Sequence, residues 1–114
     1  MIAVIFEVFP KSEQRDAYLA LAADMKALVG GIDGFISVER FESLTTPGKL
    51  LSLSIWRDEA ALDEWRELTR HRAAQKAGRE IMFDDYRLRV ASVIRDYGMN
   101  EREEAPEDSR ALHG

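Results

Sequence analysis

The chain has 114 residues, which fits one domain, because two cores of half that size would be too small to be stable. Its net charge of −5 argues against general nucleic-acid binding, which needs a basic face to displace counterions from phosphates. The absence of cysteine excludes disulfides, thiolate nucleophiles and cysteine-based zinc or iron–sulfur sites.

The N-terminal residues 2–9 form an apolar run rich in β-branched and aromatic side chains. Glu7 lies inside it, and the basic start and cleavage site of a signal peptide are missing, so we predict a strand that is buried on both faces and ends at Pro10. No apolar run approaches the roughly 20 residues that span a bilayer. We therefore expect a cytoplasmic protein without a membrane partner.

A helix is predicted after this strand, with the Ser12 hydroxyl as its N-cap. Apolar residues recur at spacings of three and four and form one stripe along it. The members of the stripe are Tyr18, Leu21, Ala22, Met25, Leu28 and Val29. Gly30 and Gly31 should end the helix, because glycine tolerates the left-handed conformation of a C-terminal cap.

Two further strands follow as an antiparallel hairpin. Residues 35–44 alternate imperfectly and predict the second strand. The segment 45–49 is a turn, because proline presets one dihedral angle and glycine supplies a positive φ. Residues 50–56 predict the third strand, which places Leu51, Leu53 and Ile55 on one face.

The second half of the chain predicts another helix and a long strand. Asp58 should cap the helix, which ends near His71 or continues to Ala77. Residues 84–97 predict the fourth strand, with Tyr86, Leu88, Val90 and Ile94 on one face and Ala91, Val93 and Tyr97 on the other. Residues 100–114 are polar and acidic and predict a disordered tail after a domain of residues 1–99.

The order strand, helix, strand, strand, helix, strand predicts an α+β fold of the ferredoxin-like βαββαβ type. One antiparallel sheet would carry both helices on one of its faces. The opposite face would stay apolar, because the first and fourth strands carry apolar residues on both sides. An exposed apolar sheet of that size is unusual on a monomer, so we predict a homodimer that pairs sheet to sheet.

The chain also resembles the antibiotic biosynthesis monooxygenase (ABM) family of the dimeric α/β-barrel superfamily over about residues 1–98. The resemblance is carried by Gly34-Phe35, the strand from Leu51 to Trp56 with Arg57-Asp58-Glu59 after it, Trp65, His71, and the stretch from Gly78 to Gly98. It implies a ferredoxin-like protomer, a sheet-to-sheet dimer, and a cavity between sheet and helices. Members include cofactor-independent monooxygenases acting on aromatic polyketides, haem-degrading monooxygenases and small-molecule isomerases.

His71 is the main candidate for chemistry, because neutral imidazole can accept a proton near pH 7 and His113 lies in the tail. It follows Trp65 by about 240° around an ideal helix, so the two converge only if the helix breaks or bends near Thr69. A half-exposed histidine at a helix C-terminus is the alternative. By resemblance, Trp65 takes the place of a cavity-lining tryptophan, and core packing is the equal alternative. Trp56 fits core packing better than substrate binding.

Arg79, Phe83 and Tyr86 complete the predicted substrate-binding set. Arg79 could bind an anionic group and Tyr86 an oxyanion or hydroxyl, although an ion pair is the more common role for such an arginine. The charged residues Glu7, Glu39 and Arg40 lie within strands, where a charge is usually solvated at an edge or paired across the sheet.

Three functions remain open. The first is a cofactor-independent monooxygenase with a small aromatic or quinone-like substrate, and for it we expect neither a cofactor nor a metal site. The second is haem degradation, whose family pattern has an asparagine in strand one and a histidine about three helical turns after the tryptophan. This chain has Phe6 and Glu7 in strand one and Gln75 at that helical position, which argues against haem. The third is a non-enzymatic dimeric module that binds small ligands.

Overall fold

The chain folds into one sheet with helices along it, as seen in a computed structural model that describes residues 1–75 and 82–113, without the side chains of 70–75 and 111–113. The strands are β1 (Ile2–Pro10), β2 (Phe35–Glu42), β3 (Leu50–Trp56) and β4 (Phe83–Ser92). The helices are α1 (Arg15–Val29), α2 (Glu59–Gln75) and α3 (Glu107–His113). No helix in the described ranges is long and apolar enough to cross a membrane.

The sheet has the strand order β2-β3-β1-β4, and every neighbouring pair is antiparallel. The predicted ferredoxin-like arrangement is therefore confirmed. The β2–β3 hairpin closes where the Lys49 amide donates to the Thr46 carbonyl at 3.2 Å, with Gly48 at a φ of 81°. This is the turn that the proline and glycine of the sequence predict.

The two sheet faces follow from the strand register. Val4 and Val8 are buried against the helices, and we call their side the inner face. Ile5 pairs with Leu53 and Ala3 with Ile55 on the opposite side, which we call the open face. The predicted shared face of Leu51, Leu53 and Ile55 is thus the open face. Arg87 and Arg89 of β4 lie there too, so β4 is less apolar on this side than the sequence prediction assumes.

The helix α1 begins later than expected, and the predicted Ser12 cap is wrong. Ser12 opens a short 3-10 turn, and its hydroxyl donates to the Glu13 carboxylate at 3.2 Å, so it does not cap the helix. At the other end, Gly30 has a φ of −61° and stays right-handed. The helix does end before the two glycines, but without the left-handed cap that the sequence predicts.

The helix α2 begins as predicted and remains helical to Gln75, within the predicted range. The Ala61 amide donates to the Asp58 carboxylate at 2.9 Å, which confirms the cap. Helical structure runs through Thr69 without a break. The break that would bring His71 round to Trp65 is therefore not present.

The core consists of two clusters on the inner face. The first packs Val4 of β1 with the ends of α1 and β3 and the start of α2, and its other buried members are Val29, Ile32, Trp56, Ala61 and Leu62. The second contains Val8, Tyr18 and Leu50. Phe6, Met82 and Phe83 pack against the second cluster and are partly buried.

The last strand is shorter than the sequence predicts, and the segment after it is more regular. β4 ends at Ser92 because its partner β1 begins at Ile2, and one further bond joins the Val93 amide to the Met1 carbonyl. Beyond it, where the sequence predicts disorder, the structure has α3 and a buried Ala105. The Arg102 guanidinium donates to the Ser109 hydroxyl at 2.6 Å and lies 5.3 Å from the Tyr97 ring centroid.

Candidate functional site

A pair of tryptophans marks one end of the inner face. The Trp56 and Trp65 rings lie 6.3 Å apart with an interplanar angle of 32°. Trp56 is 1% exposed, and its indole N–H donates to the Ser54 hydroxyl at 2.9 Å. Trp65 is half-buried on α2. The packing role that the sequence favours for Trp56 agrees with this burial.

A small cavity of about 80 Å³ adjoins the tryptophan pair. Both tryptophans belong to its wall, together with side chains from α1, β2 and β3. The other lining residues are Met25, Lys26, Val29, Phe35, Val38, Arg40, Ser52 and Ser54. Trp65 thus combines the two roles that the sequence leaves open, since a cavity wall is also part of the core.

A larger cleft of about 600 Å³ opens between α1 and the β2–β3 hairpin. It shares Lys26, Val38 and Arg40 with the small cavity, so the two spaces are neighbours. Its other lining residues are Leu19, Ala22, Ala23, Ser37, Glu39, Leu53 and Ile55. A cleft of this size falls within the range of about 300–1,000 Å³ that is typical of small-molecule sites.

Phe83 and Tyr86 lie elsewhere, beside the second core cluster. Their rings are 6.2 Å apart, and Tyr86 also approaches Phe6 at 5.7 Å. Phe83 packs edge-on against Tyr18 at 5.4 Å, whereas Tyr86 is 60% exposed. The structure therefore places these two predicted substrate-binding residues in a different cluster from Trp56 and Trp65.

The remaining predicted residues stay predictions. His71 lies on α2, but its side chain is outside the described part of the chain, and Arg79 falls in the undescribed segment 76–81. The described residues contain no group of three or more His, Cys, Asp or Glu side chains that could hold a metal ion.

Sequence reasoning missed the cationic part of the cleft, formed by Lys26 and Arg40. The sequence contains a partial indication, because Arg40 is a charged residue inside a predicted strand. Strand alternation puts Arg40 on the same side as Val38, the inner side, where a charge is unusual. By contrast, Glu7 follows the expected pattern on the open face, where it pairs with Lys49 at 3.5 Å and Arg89 at 3.4 Å.

A cluster of polar contacts, which we call the Arg57 cluster, lies next to the small cavity and consists of Asp33, Gly34, Arg57 and Asp58. The Arg57 amide donates to the Gly34 carbonyl at 2.7 Å, and the Arg57 guanidinium contacts Asp58 at 3.1 Å and Asp33 at 3.3 Å. Gly34 has a φ of 93°, and a Cβ added there would lie 2.8 Å from the Ala61 Cβ. Only glycine fits this position without displacement, which sets where Phe35 enters the cavity wall.

The charged groups of the Arg57 cluster favour one another's ionised forms. The backbone N–H of Ala61, followed by the Arg57 guanidinium, holds the pKa of the Asp58 carboxyl below its ordinary value. In turn, the hydrogen bond to Asp58 and the charge of Asp33 raise the pKa of Arg57. All three groups are exposed, so solvent weakens their mutual attraction.

The family described as "Antibiotic biosynthesis monooxygenase" (ABM) matches residues 1–77. The chain belongs to this family. The match covers β1 to α2, and hence α1, the hairpin and the tryptophan pair that surround the two spaces.

Two relatives resemble this ABM chain over most of its length. One is named a jasmonate monooxygenase, from Pyricularia oryzae, and is 46% identical over 101 residues, which are 89% of this chain and 47% of that protein. The chain therefore spans about half the length of that relative. The other is the uncharacterised protein YqjZ of Bacillus subtilis, 36% identical over 93 residues, with 82% of this chain and 79% of that protein covered.

Solved structures agree with the ABM fold. Rv0793 from Mycobacterium tuberculosis superposes with a TM-score of 0.71 at 25% identity, covering 85% of this chain and 98% of that one. SnoaB, a cofactor-independent oxygenase from Streptomyces nogalater, gives 0.65 at 10% identity over 83% and 94%. MhuD, with two manganese protoporphyrin IX molecules bound per active site, gives 0.70 at 13% identity over 86% and 99%. The last two likenesses show the fold alone.

Proposed function

We propose that this ABM chain is a cofactor-independent monooxygenase that acts on small aromatic or quinone-like molecules. The observation that carries the proposal is the cleft of about 600 Å³ between α1 and the β2–β3 hairpin, which continues toward the Trp56–Trp65 pair. Flat aromatic walls bind flat, apolar molecules through dispersion and ring stacking. Family membership supports the same class of reaction.

The chemistry of the proposal balances without an added reductant when the substrate carries an activated methylene. A base removes a proton from that carbon, and the resulting anion transfers electrons to O₂. One oxygen atom becomes a carbonyl on the carbon, and the other leaves as water. Because a methylene that becomes a carbonyl supplies all the electrons that reduce the second oxygen atom, substrate and O₂ are the sole reactants.

The protein has two tasks in this reaction. It must bind the substrate in an environment from which water is largely excluded, and it must supply the base. The tryptophan pair and the apolar lining of the cleft serve the first task. His71 is proposed as the base, because imidazole is the side chain whose ordinary pKa lies near neutrality. On the unbroken helix it lies about 240° around from Trp65, so the reacting carbon would have to lie beyond the tryptophan pair, toward the end of α2. The sequence also proposes Tyr86, Phe83 and Arg79 as substrate contacts. Tyr86 and Phe83 belong to the second core cluster and not to the walls of the cleft, so they could contact only a part of the substrate that extends outside it.

Jasmonate is the second substrate class to assay, because a relative at 46% identity is named a jasmonate monooxygenase. Oxygen insertion into an unactivated C–H bond leaves the second oxygen atom without electrons. Turnover of jasmonate should therefore be measured with and without an added nicotinamide reductant. A requirement for the reductant would separate this reaction from the cofactor-independent one.

The experiment measures O₂ consumption with the purified chain and a panel of anthrones, hydroquinones and jasmonate. We expect uptake with an activated aromatic, and mass spectrometry after reaction in labelled O₂ should find one labelled oxygen atom in the product. No uptake with any substrate, combined with tight ligand binding, would favour the non-enzymatic binding module.

The two histidines of the sequence offer a matched pair of variants. His71→Ala should lower kcat by about 100-fold or more and leave KM nearly unchanged, because general-base catalysis contributes about 10²–10⁴-fold. His113→Ala, in α3, should behave as wild type. Equal activity of the two variants would assign the base to another residue.

The haem-degrading alternative is tested directly by titration. Strand one contains no asparagine, and Gln75 takes the place of the histidine in that pattern, so we expect no Soret shift with micromolar haem. A stoichiometric shift would overturn this expectation and make haem the ligand of the inner face.

We further propose that the protein is a cytoplasmic homodimer whose domain comprises residues 1–99. Its β4 strand carries Tyr86, Leu88 and Val90 on the inner side, and they are 60%, 53% and 48% exposed. We call these three residues the β4 row. On the open face, Ile5, Leu53 and Ile55 form an apolar centre beside the paired charges of Glu7. A second copy that packs sheet to sheet would cover the apolar centre of the open face, whereas the β4 row lies on the other side of the sheet.

A further inference from the structure

The guanidinium of Arg40 is unusual among the arginines of the described chain. Its Nε is buried and makes no hydrogen bond, and no carboxylate pairs with it within the described residues. Four other arginines each contact an acid within 4.0 Å, namely Arg15, Arg57, Arg66 and Arg89. Three more, Arg87, Arg95 and Arg110, have no ion pair among the described residues, but all three are exposed, whereas Arg40 is partly buried. Arg102 also has a buried Nε, but its terminal nitrogens donate to Gly98 and Ser109. Arg40 is thus a cation that lacks an anion.

The position of Arg40 directs attention to the cleft. Arg40 pairs with Ser52 in the β2–β3 register and lies on the inner face, and it contributes to the walls of both the large cleft and the small cavity. Lys26, in the last turn of α1, also belongs to both walls and has no ion pair in the described part of the chain. Two unpaired cations therefore border the junction of the two spaces.

The acid in the wall of the cleft does not neutralise them. Glu39 precedes Arg40 on an edge strand, so alternation directs it to the open face, opposite Leu53. It is exposed, and none of the ion pairs between described residues joins it to Arg40 or Lys26. The rest of the wall is largely apolar, with Leu19, Ala22, Ala23 and Val38 among its members.

We propose that Arg40 and Lys26 form the anion-binding end of the cleft and that its ligand is an apolar molecule carrying a carboxylate. The planar guanidinium donates two parallel hydrogen bonds to a carboxylate, a geometry that also gives its buried nitrogen a partner. Lys26 adds a more hydrated charge from the helix side. The apolar body of the ligand then extends along α1 toward the tryptophans. The inference rests on the proposed function only in taking the cleft as the substrate site.

The test compares the acid and the methyl ester of one molecule, which differ in charge and little in shape. Two pairs serve as probes: 4-phenylbutyric acid with its methyl ester, and jasmonic acid with its methyl ester. Binding is followed by intrinsic fluorescence, since the sequence has two tryptophans and both line the small cavity. We expect the acid of at least one pair to bind wild type about tenfold or more tightly than its ester, as a desolvated charge-assisted hydrogen bond supplies that much.

Arg40→Met should abolish the preference for the acid by weakening acid binding, while ester binding stays within about twofold of wild type. Arg40→Lys keeps the positive charge but cannot donate two parallel hydrogen bonds to the carboxylate, so it should retain part of the preference. Lys26→Met should reduce it less than Arg40→Met. The matched control is Arg15→Gln, because Arg15 is paired with Glu42 and is not part of the cleft wall. Circular dichroism confirms that each variant is folded.

Two results would overturn the inference: acid and ester of both pairs binding wild type equally, or Arg40→Met and Arg40→Lys both keeping the full preference. The outcome is independent of the proposed monooxygenase activity. Acid-selective binding that depends on Arg40 without any O₂ consumption supports the anion site and contradicts the enzyme. O₂ consumption with a carboxylate substrate and its methyl ester at the same KM, which Arg40→Met leaves unchanged for both, supports the enzyme and contradicts the anion site.

Discussion

Asp58 shows how one side chain can serve two neighbours. Its carboxylate accepts the Ala61 amide at the start of α2 and contacts the Arg57 guanidinium, and both interactions favour the ionised form. The folded pKa is therefore lower than the unfolded one. The stabilisation is fully present above the unfolded pKa and is lost as the pH falls through the folded value.

The lowered pKa of Asp58 leads to a prediction for Asp58→Ala. At neutral pH the variant should melt a few degrees below wild type, because a helix amide loses its partner. The difference should shrink toward zero as the pH is lowered into the acid range, where wild type loses the charge as well. Thermal melts by circular dichroism across pH measure it, with Asp63→Ala, an exposed residue later in α2, as the control. A difference that is constant with pH would contradict the assignment.

Single residues were predictable where local chemistry decides the outcome. Asp58 stands directly before an amphipathic segment, so its capping role could be read from the sequence, and the burial of Trp56 follows from its place at the end of a central strand. Ser12 failed because the chain there forms a 3-10 turn before it becomes helical. Arg40 was noticed as odd, but its meaning depends on a cleft that forms only when α1 lies over the hairpin.

Among the elements, the second cluster ties α1 to the edge strand β4. The Phe83 ring packs against Tyr18 at 5.4 Å, Phe6 at 5.9 Å and Tyr86 at 6.2 Å. The four rings come from three elements, α1, β1 and β4, with two of them on β4. The cluster therefore packs β4 against α1.

We expect Phe83→Ala to destabilise the protein by about 2 kcal/mol, less than a fully buried phenylalanine would, since the side chain is only partly covered. Chemical denaturation measures the loss. Leu44→Ala, at a fully exposed position, is the control and should change stability by less than about 0.5 kcal/mol. Equal effects of both substitutions would mean that the cluster contributes nothing.

The bounds of elements were predictable where turn chemistry sets them and not where partners do. The third strand has the predicted bounds of residues 50–56, because Gly48 and the residues after Trp56 mark its ends. The fourth ends at Ser92 although its apolar alternation continues, since β1 has no residue left to pair with it. Only the register reveals such a limit. Likewise, α3 depends on the contacts of Arg102 with Ser109, which composition cannot reveal.

At the scale of the whole molecule, the chain is elongated. Its principal extents are 56 × 34 × 20 Å, and its radius of gyration is 16.9 Å. A compact domain of this length would have a radius of about 13 Å. A single copy therefore leaves a large share of its surface, including the β4 row, without internal cover.

The dimer proposal predicts that Ile5→Glu, which puts a charge on the open face, shifts the protein from a dimer toward a monomer of 13.0 kDa, because a buried unpaired charge is costly. Leu88→Glu, in the β4 row on the opposite side of the sheet, should leave the mass of the dimer unchanged. Light scattering after size exclusion gives the mass. Ala20→Glu, exposed on α1, is the control. A wild-type protein that elutes as a monomer at every concentration would refute the dimer.

In the proposed dimer, burial of the open face would have a further consequence for the stability of the fold. When a surface is buried only in a dimer, the free energy of unfolding depends on protein concentration, because dilution dissociates the partner that covers the surface. The unfolding midpoint of such a protein rises with the logarithm of its concentration. The concentration of the protein in the cell would then set its thermal stability, and the same sequence would unfold at a lower temperature when it is expressed at a low level.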